Sequence, residues 1–208
     1  ETLVVGISGG IDSALTSTLC ALTDIKTIIV SMPIHQKTTE LNNASKHAHW
    51  LTNLYPNVQK EIIDLTVLFE TYKKTIPTKF HSQLNLANTR ARIRMTTLYQ
   101  IAGYKNGLVV GTGNKVEDFG VGFFTKYGDG GVDISPIADL NKSEVKKLAQ
   151  YCKIHPDIIS APPTDGLWED GRTDEDQIGA TYIELEWAMN YCKNDKLTKR
   201  KIEVLNIY

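Results

Sequence analysis

Strand-like apolar runs alternate with helical patterns along the first half of the chain. The runs lie at residues 3–5, 27–30, 58–63 and 108–110, and helical patterns lie at about 14–22, 39–54, 65–75 and 85–104. Such alternation is typical of a parallel sheet, because consecutive parallel strands need crossover connections, and helices supply them. The pattern therefore predicts an α/β fold with an open parallel sheet of at least four strands and helices on both faces.

Three polar segments follow predicted strands, at residues 8–13, 31–35 and 112–117. In an open parallel sheet, ligands bind outside the carboxyl ends of the strands, so we expect these segments to converge on one edge. No repeat or low-complexity linker divides the chain. Residues 1–208 are therefore expected to form a single domain.

The turn after the first strand reads Gly6-Ile7-Ser8-Gly9-Gly10-Ile11-Asp12-Ser13. Adjacent glycines permit backbone geometries that a Cβ forbids, and amides at a helix start, with the two serine hydroxyls, can donate to an anion. Asp12 would repel phosphate oxygens unless a cation such as Mg²⁺ lay between them. The turn lacks the lysine of a Walker A loop. It predicts a site for nucleotide phosphate and a metal; a plain glycine-serine turn is the alternative interpretation.

A second candidate segment, residues 111–118, leaves the strand at 108–110 with two glycines and two carboxylates. A hard cation that keeps several waters needs only one or two protein carboxylates, so Glu117 could complete a metal site with Asp12. Asp118 is the second choice for this role. The competing interpretation makes Glu117 a solvated loop acid.

Residues 120–133 are too glycine-rich for a helix and carry three aromatic rings. Aromatic faces flanked by Lys126, Asp129 and Asp133 suit a heteroaromatic ligand with ribose hydroxyls. Alternatively, Phe123 and Phe124 belong to the core and the glycines form turns.

The composition of the chain mainly argues against certain functions. A formal net charge of -1 gives no electrostatic support for nucleic-acid binding, and no apolar run approaches the length of a membrane span. The three cysteines form no C-x-x-C pair, which is typical of a reduced, cytoplasmic protein. The five histidines share no ligand spacing, so we expect surface or loop roles for them and no zinc site.

The motifs together resemble one family. The S-G-G-x-D-S turn resembles the pyrophosphate loop of the ATP pyrophosphatases, and it is followed by N-x-x-A-R-x-R-M at 88–95, G-T-x-x-x-x-E at 111–117, G-F-F-T-K-Y-G-D-G-x-x-D at 122–133 and L-x-K at 140–142. In this order, over nearly the whole chain, they resemble the ammonia-dependent NAD synthetases. The resemblance implies a Rossmann-like adenine nucleotide alpha hydrolase fold.

It also implies an activity: ATP adenylates the nicotinate carboxylate of deamido-NAD with release of pyrophosphate, and ammonia then displaces AMP to give NAD. Asp12, Glu117 and Lys142 would be catalytic, and Asp12 and Glu117 would bind Mg²⁺. Lys142 also reads as the first turn of a helix with Asn141 as its cap. Free ammonia is the expected nitrogen donor, since the chain has no room for a glutaminase.

The resemblance assigns the remaining site residues. ATP would contact residues Gly6 to Ser13, Thr112, Lys142 and Thr164; deamido-NAD would contact Asn88, Arg92, Phe123, Lys126, Asp129 and Asp133. Family members are homodimers with the deamido-NAD site at the interface. Ile93, Leu98 and Ile101 on the long helix are candidates for that contact, unless they lie in the monomer core.

Several points depart from the family pattern or stay open. Residues 31–35 lack the usual arginine near adenine, and the chain is expected to lack a short N-terminal helix and the C-terminal tail. The loop at 161–172, which includes Trp168, is expected to act as a lid that keeps water from the adenylate. A tRNA-modifying ATP pyrophosphatase and a noncatalytic nucleotide-binding regulator remain alternatives.

Overall fold

A computed structural model describes residues 1–36, 38–164, 173–193 and 197–208. Within them, four strands form one parallel sheet in the order β3-β2-β1-β4. The strands are β1 Thr2–Gly6, β2 Lys26–Ser31, β3 Val58–Ile62 and β4 Leu108–Val110. All four lie where the apolar runs predict them. The predicted parallel sheet is therefore confirmed.

Helices connect and cover these strands. They are α1 Ile11–Ala21, α2 Thr38–Leu54, α3 Thr66–Thr75, α4 Gln83–Lys105, α5 Lys142–Tyr151, α6 Pro156–Ser160, α7 Asp174–Ile178, α8 Tyr182–Met189 and α9 Lys199–Ile207, with a 3-10 turn at Thr78–Phe80 and a π-helix at Lys115–Val121. Three of these match the helices predicted at 39–54, 65–75 and 85–104 to within two residues.

The two faces of the sheet bury different clusters because side chains alternate along a strand. Val5 and Ile29 point toward α1 and α2, where Leu51 joins them. Val4 and Val109 point the other way, toward α3 and α4. Helices thus cover both faces, as predicted.

The strand order creates an opening at the carboxyl edge of the sheet. From β1 the chain passes through α1 to β2 and through α2 to β3, whereas β4 pairs with β1 on its other side. The segments that follow β1 and β4 therefore diverge, and a ligand can enter between them. Beyond the sheet, α5 and α6 pack against α1, and α8 and α9 pack against the π-helix.

Helix α4 belongs mainly to the monomer core. Leu98 is buried against the sheet, and Ile93 and Ile101 pack against the same cluster. Leu98 therefore lies in the monomer core, the alternative given for this stripe, whereas a dimer contact of the partly buried Ile93 and Ile101 stays a prediction. Periodicity shows which face is apolar and not what covers it. No helix in the described parts of the chain is both long enough and apolar enough to cross a membrane.

Candidate active site

The turn between β1 and α1 has the backbone geometry of an anion-binding loop. Gly9 has φ +92°, and a Cβ there would lie 2.5 Å from the carbonyl oxygen of Glu40 in α2. Only glycine fits this position, since both the dihedral angle and the close approach exclude a side chain. Gly10 caps α1 without a side-chain acceptor, which leaves the first amides of the helix for a ligand.

The two serines brace this turn. The Ser8 hydroxyl accepts the amide of Gly10 at 3.2 Å, and the Ser13 hydroxyl donates to the carbonyl of Gly10 at 3.0 Å. The two hydroxyl oxygens lie 3.1 Å apart. The serines therefore preorganise the loop in addition to any contact with an anion.

Asp12, Glu117 and Lys142 meet beside the loop, as the sequence predicts. The Lys142 ammonium donates to Asp12 Oδ2 at 2.6 Å and to Glu117 Oε1 at 2.8 Å. The three side chains are only 13%, 18% and 15% exposed for lysine, aspartate and glutamate. Asp12 of α1, Glu117 of the π-helix and Lys142 of α5 thus form one ion cluster that is largely shielded from water.

Burial and charge shift these groups in different directions. Burial, with repulsion from Glu117, raises the pKa of Asp12 despite the attraction of Lys142. Burial also acts to raise the pKa of Glu117, but the attraction of Lys142 holds that pKa below its usual value. Burial works against the charged form of Lys142, but the two carboxylates raise its pKa further above the usual range. The lysine is therefore a permanent cation.

This donor set fits a magnesium ion. Two carboxylates at a phosphate loop are the ligands that Mg²⁺ takes from proteins when substrate oxygens and water supply the rest. The ammonium group of Lys142 already lies between them, which shows that a cation is accommodated there. Among the described residues, no three histidine, cysteine, aspartate or glutamate side chains converge into a metal-holding group.

Asn114 holds the two carboxylates in register. It is fully buried, its amide nitrogen donates to Asp12 Oδ1 at 3.1 Å, and its oxygen accepts the backbone amides of Val116 and Glu117 at 3.1 Å. Asn114 therefore caps the π-helix that carries Glu117 and also orients Asp12. Asn114 is a site residue that was not predicted, although an asparagine three positions before a glutamate is a known helix-start signal.

Helix α8 supports the cluster from the opposite side. Tyr182 donates its hydroxyl to Glu117 Oε1, and its ring lies 4.8 Å from the Lys142 ammonium. Glu186 accepts both the amide of Ser143, at 2.8 Å, and its hydroxyl, at 2.7 Å, at the start of α5. The predicted capping box of Asn141 is also present in that first turn. Nothing in the local sequence of α8 points to these contacts.

Asp118 faces the same cleft. Its carboxylate packs on Gly113, where a Cβ would lie 1.8 Å from Oδ2. Burial, with the nearby charges of Asp129, Glu117 and Asp12, raises the pKa of Asp118 to about 7. A carboxyl with such a raised pKa can exchange a proton near neutral pH.

A second cleft of about 740 Å³ opens between α4 and residues 127–132. Tyr99 and Tyr127 line it. Arg92 borders it, exposed, with its Nε donating to the carbonyl of Lys126 at 3.0 Å. Asp133 lies behind the wall, because its oxygens accept the Tyr99 hydroxyl at 3.0 Å and the Val109 amide at 2.7 Å.

The turn at 123–129 links the two clefts. The Phe123 amide donates to the Glu117 carbonyl at 2.8 Å. Thr125 joins Asn88, through its hydroxyl at 2.9 Å, to Asp129, through its amide at 3.1 Å. Phe123 and Asp129 thus lie on one hydrogen-bonded turn, which is tied to the backbone of Glu117 at one end and to Asn88 of α4 through Thr125.

The remaining predicted positions are less enclosed. Thr112 follows β4 and is half-buried, and Thr164 is exposed next to Pro163, whose carbonyl accepts the Asp174 amide at 3.1 Å. Trp168 and most of the predicted lid, residues 165–172, lie outside the described residues.

The expectation for the histidines needs one correction. His47 is buried, with Nε2 at 2.8 Å from the Ser17 hydroxyl, and its ring lies 5.6 Å from that of Trp50. Burial lowers its pKa to about 4. His47 lies on the side of α2 that faces α1. The packing of these two helices sets its environment, which the spacing of histidines along the sequence could not predict.

Comparisons with known proteins agree with this geometry. The sequence profile of the family described as NAD synthase matches residues 1–207. The NH(3)-dependent NAD(+) synthetase of Methanococcoides burtonii is 42% identical over 186 residues, which cover 88% of this chain and 68% of that protein.

Two solved structures superimpose over almost the whole chain. NMN synthetase from Francisella tularensis gives a TM-score of 0.87 at 31% identity, covering 98% of this chain and 82% of that one. The NH3-dependent NAD synthetase from Campylobacter jejuni in complex with the nitrate ion gives 0.75 at 29% identity, covering 99% and 82%.

Proposed function

The chain belongs to the NAD synthase family and catalyses the ATP-dependent amidation of deamido-NAD by ammonia to give NAD, and we propose how its residues divide that reaction. The ion cluster of Asp12, Glu117 and Lys142, next to the phosphate loop at the carboxyl edge of the sheet, is the observation that carries the assignment. With Mg²⁺ held by the two carboxylates, such a site would neutralise negative charge, which is what attack by a carboxylate on a polyanion requires.

The first step is adenylation. A nicotinate carboxylate oxygen forms a bond to the α-phosphorus of ATP, and the bond from that phosphorus to the bridging oxygen breaks, so that pyrophosphate leaves with the electron pair. The α1 amides and Lys142 stabilise the charge on the departing phosphates. Asp12 and Glu117 would hold Mg²⁺, which supplies further neutralisation when bound.

The second step is amide formation. Ammonia attacks the carbonyl carbon of the adenylate, the nitrogen loses a proton, and AMP leaves with the carboxylate oxygen. Asp118 follows Glu117 directly in the chain, and its pKa is raised to about 7, so its carboxylate could accept the proton. No covalent enzyme nucleophile is needed.

The dinucleotide is proposed to occupy the second cleft. Arg92 and Lys126 supply positive charge for its phosphates at the rim, while Phe123 and the hydrogen-bonded turn of Asn88 and Asp129 lie between the two clefts. Asp133 would act through Tyr99, because its own oxygens already have donors. ATP would extend from the phosphate loop toward Thr112 and Thr164.

We further propose that the protein works in the cytoplasm as a homodimer that completes the dinucleotide site. Tyr99 and Tyr127, which line the second cleft, are exposed, and this supports a role for a partner copy there. Size-exclusion chromatography with light scattering checks the dimer, and a monomer that retains full activity would contradict it.

The assignment is tested by measuring pyrophosphate release from ATP with deamido-NAD and ammonium. Asp12→Asn keeps the shape of the side chain but removes its charge, so turnover should fall by at least about 100-fold, the lower end of the range for removing one preorganised electrostatic group. Unchanged circular dichroism provides the control for folding. Activity within about tenfold of the wild type would contradict the metal-binding role of Asp12.

Nicotinate mononucleotide is a second candidate substrate, because the Francisella tularensis NMN synthetase superimposes on this chain with a TM-score of 0.87. Amidation of nicotinate mononucleotide uses the same chemistry on a substrate that lacks the adenylyl half. Parallel kcat/KM measurements on both nucleotides decide between them. A larger value for the mononucleotide would reassign the preferred substrate without changing the roles of Asp12 or Lys142.

A further inference from the structure

We propose that Tyr182 is a positioning residue for the adenylation site, a role that rests on the proposed function: its hydroxyl fixes the Glu117 carboxylate and its ring supports the Lys142 ammonium. No motif in the sequence marks this residue. It lies at the start of α8, on a different segment from each of the two side chains that it contacts.

The hydroxyl contact determines which oxygen of Glu117 is free. Oε1 accepts two donors, the Tyr182 hydroxyl and the Lys142 ammonium at 2.8 Å. With Oε1 occupied by these two donors, Oε2 would be the oxygen that faces an incoming cation. A hydrogen-bonded partner of a metal-binding carboxylate fixes its orientation, and removing such a partner typically weakens metal binding or activity about 10- to 100-fold.

The ring contact acts on the cation of the cluster. Lys142 Nζ lies 4.8 Å from the centre of the Tyr182 ring, within the range of a cation–π interaction. The lysine stem has four rotatable bonds, so a flat aromatic surface limits where its ammonium can go. When phosphates compete for Lys142, the ring remains a fixed support on the side away from them.

The surroundings hold Tyr182 itself in place. The side chain is 6% exposed, and its backbone amide donates to Glu175 at 2.9 Å. One helical turn later, Glu186 binds the amide and hydroxyl of Ser143, the residue after Lys142. Residues four apart share a helix face, so Tyr182 and Glu186 lie on one side of α8. This side of α8 positions both the Lys142 ammonium and the first turn of α5.

The test compares two substitutions with a matched control. Tyr182→Phe removes the hydroxyl and keeps the ring, whereas Tyr182→Leu removes both. Tyr151→Phe removes the same atom from a side chain that is 83% exposed. For each variant we would measure Mn²⁺ affinity by electron paramagnetic resonance with α,β-methylene-ATP present, and also kcat, the KM for ATP and the thermal midpoint.

In Tyr182→Phe, we expect the Mn²⁺ dissociation constant to rise and kcat to fall, each by about tenfold, while the KM for ATP stays within about twofold. Tyr182→Leu should in addition raise the KM for ATP about threefold or more, since a cation–π contact of roughly 0.5–1 kcal/mol or above is lost. Tyr151→Phe should match the wild type.

Mn²⁺ affinity and kcat within twofold of the wild type in Tyr182→Phe would overturn the role of the hydroxyl. A lower thermal midpoint with unchanged Mn²⁺ affinity would also overturn it, because the residue would then be merely structural. A large rise in the KM for ATP in Tyr182→Phe, whose ring is intact, would overturn the role of the ring. Failure of the wild type to form product would instead contradict the proposed function, and the Mn²⁺ comparison would still decide the role of Tyr182.

Discussion

Removing the cation of the ion cluster should destabilise the protein when no metal is present. Lys142→Met keeps most of the side-chain volume but leaves Asp12 and Glu117 facing each other without a counter-charge. All three side chains are less than one fifth exposed, at 13%, 18% and 15%, so water screens their charges weakly. Breaking a buried ion pair by removing one partner typically destabilises a protein by about 3–5 kcal/mol.

The sign of the effect depends on pH and on metal. The repulsion exists only while both carboxyls are ionised. Burial and mutual repulsion hold the pKa of Asp12 above its unfolded value of about 4. The loss of stability is therefore complete above the folded pKa, is relieved as the pH falls through it, and is gone near pH 4. A divalent cation replaces the missing ammonium. Millimolar Mg²⁺ should therefore stabilise Lys142→Met more than it stabilises the wild type.

The assay is urea unfolding at pH 7.5 and at pH 4, with EDTA or with Mg²⁺. At pH 7.5 in EDTA, we expect a loss of about 3 kcal/mol, equivalent to a thermal shift of roughly 10 °C for a domain of this size. Lys146→Met, an exposed substitution on the same helix, provides the control. A variant as stable as the wild type, or one that Mg²⁺ stabilises no further, would refute the reasoning.

Three further predictions follow from other contacts. Gly9→Ala should destabilise the protein by about 1–3 kcal/mol and raise the KM for ATP, because its φ of +92° and the nearby Glu40 carbonyl exclude a Cβ; an unchanged KM would contradict this. Arg92→Ala should raise the KM for deamido-NAD and leave that for ATP unchanged in steady-state assays; equal effects on both would count against the second cleft. The free energy of unfolding should decrease by up to about 3 kcal/mol as the pH falls from 6.5 to 4. His47 gains a proton at its ordinary pKa in the unfolded chain but only near pH 4 in the folded protein, because burial lowers its pKa to about 4. In unfolding titrations His47→Gln should lack that slope, and an identical slope would exclude His47 as its source.

The sequence was sufficient for the sheet because buried parallel strands are short apolar runs flanked by polar turns. β1 and β4 satisfy this pattern fully, and both pair in register with Leu3 opposite Leu108. It was insufficient for the role of α4. The stripe of Leu98 and its neighbours shows only that one face is apolar, and the packing of the whole chain decides whether the sheet or a second subunit covers it.

The site residues also fall into those that the sequence could predict and those that it could not. Asp12 and Glu117 were predictable because each follows a strand at the carboxyl edge, where parallel strands bring their ends together. Tyr182 was not, because its contact with Glu117 joins residues 65 positions apart and depends on how α8 packs against the π-helix. Asn114 is intermediate, since its capping position is local but its contact with Asp12 spans 102 positions.

The separation of Asp12 and Lys142 along the chain has a consequence for synthesis. The two residues are 130 positions apart, and ribosomes add about 5–20 residues per second, so a delay of about 6 to 26 seconds separates them. Throughout that interval a nascent chain carries a complete phosphate turn without its lysine. Contacts between residues so far apart in the chain form slowly. We therefore expect the synthesis and docking of α5, and not the formation of the sheet, to set the time at which a newly made molecule becomes active.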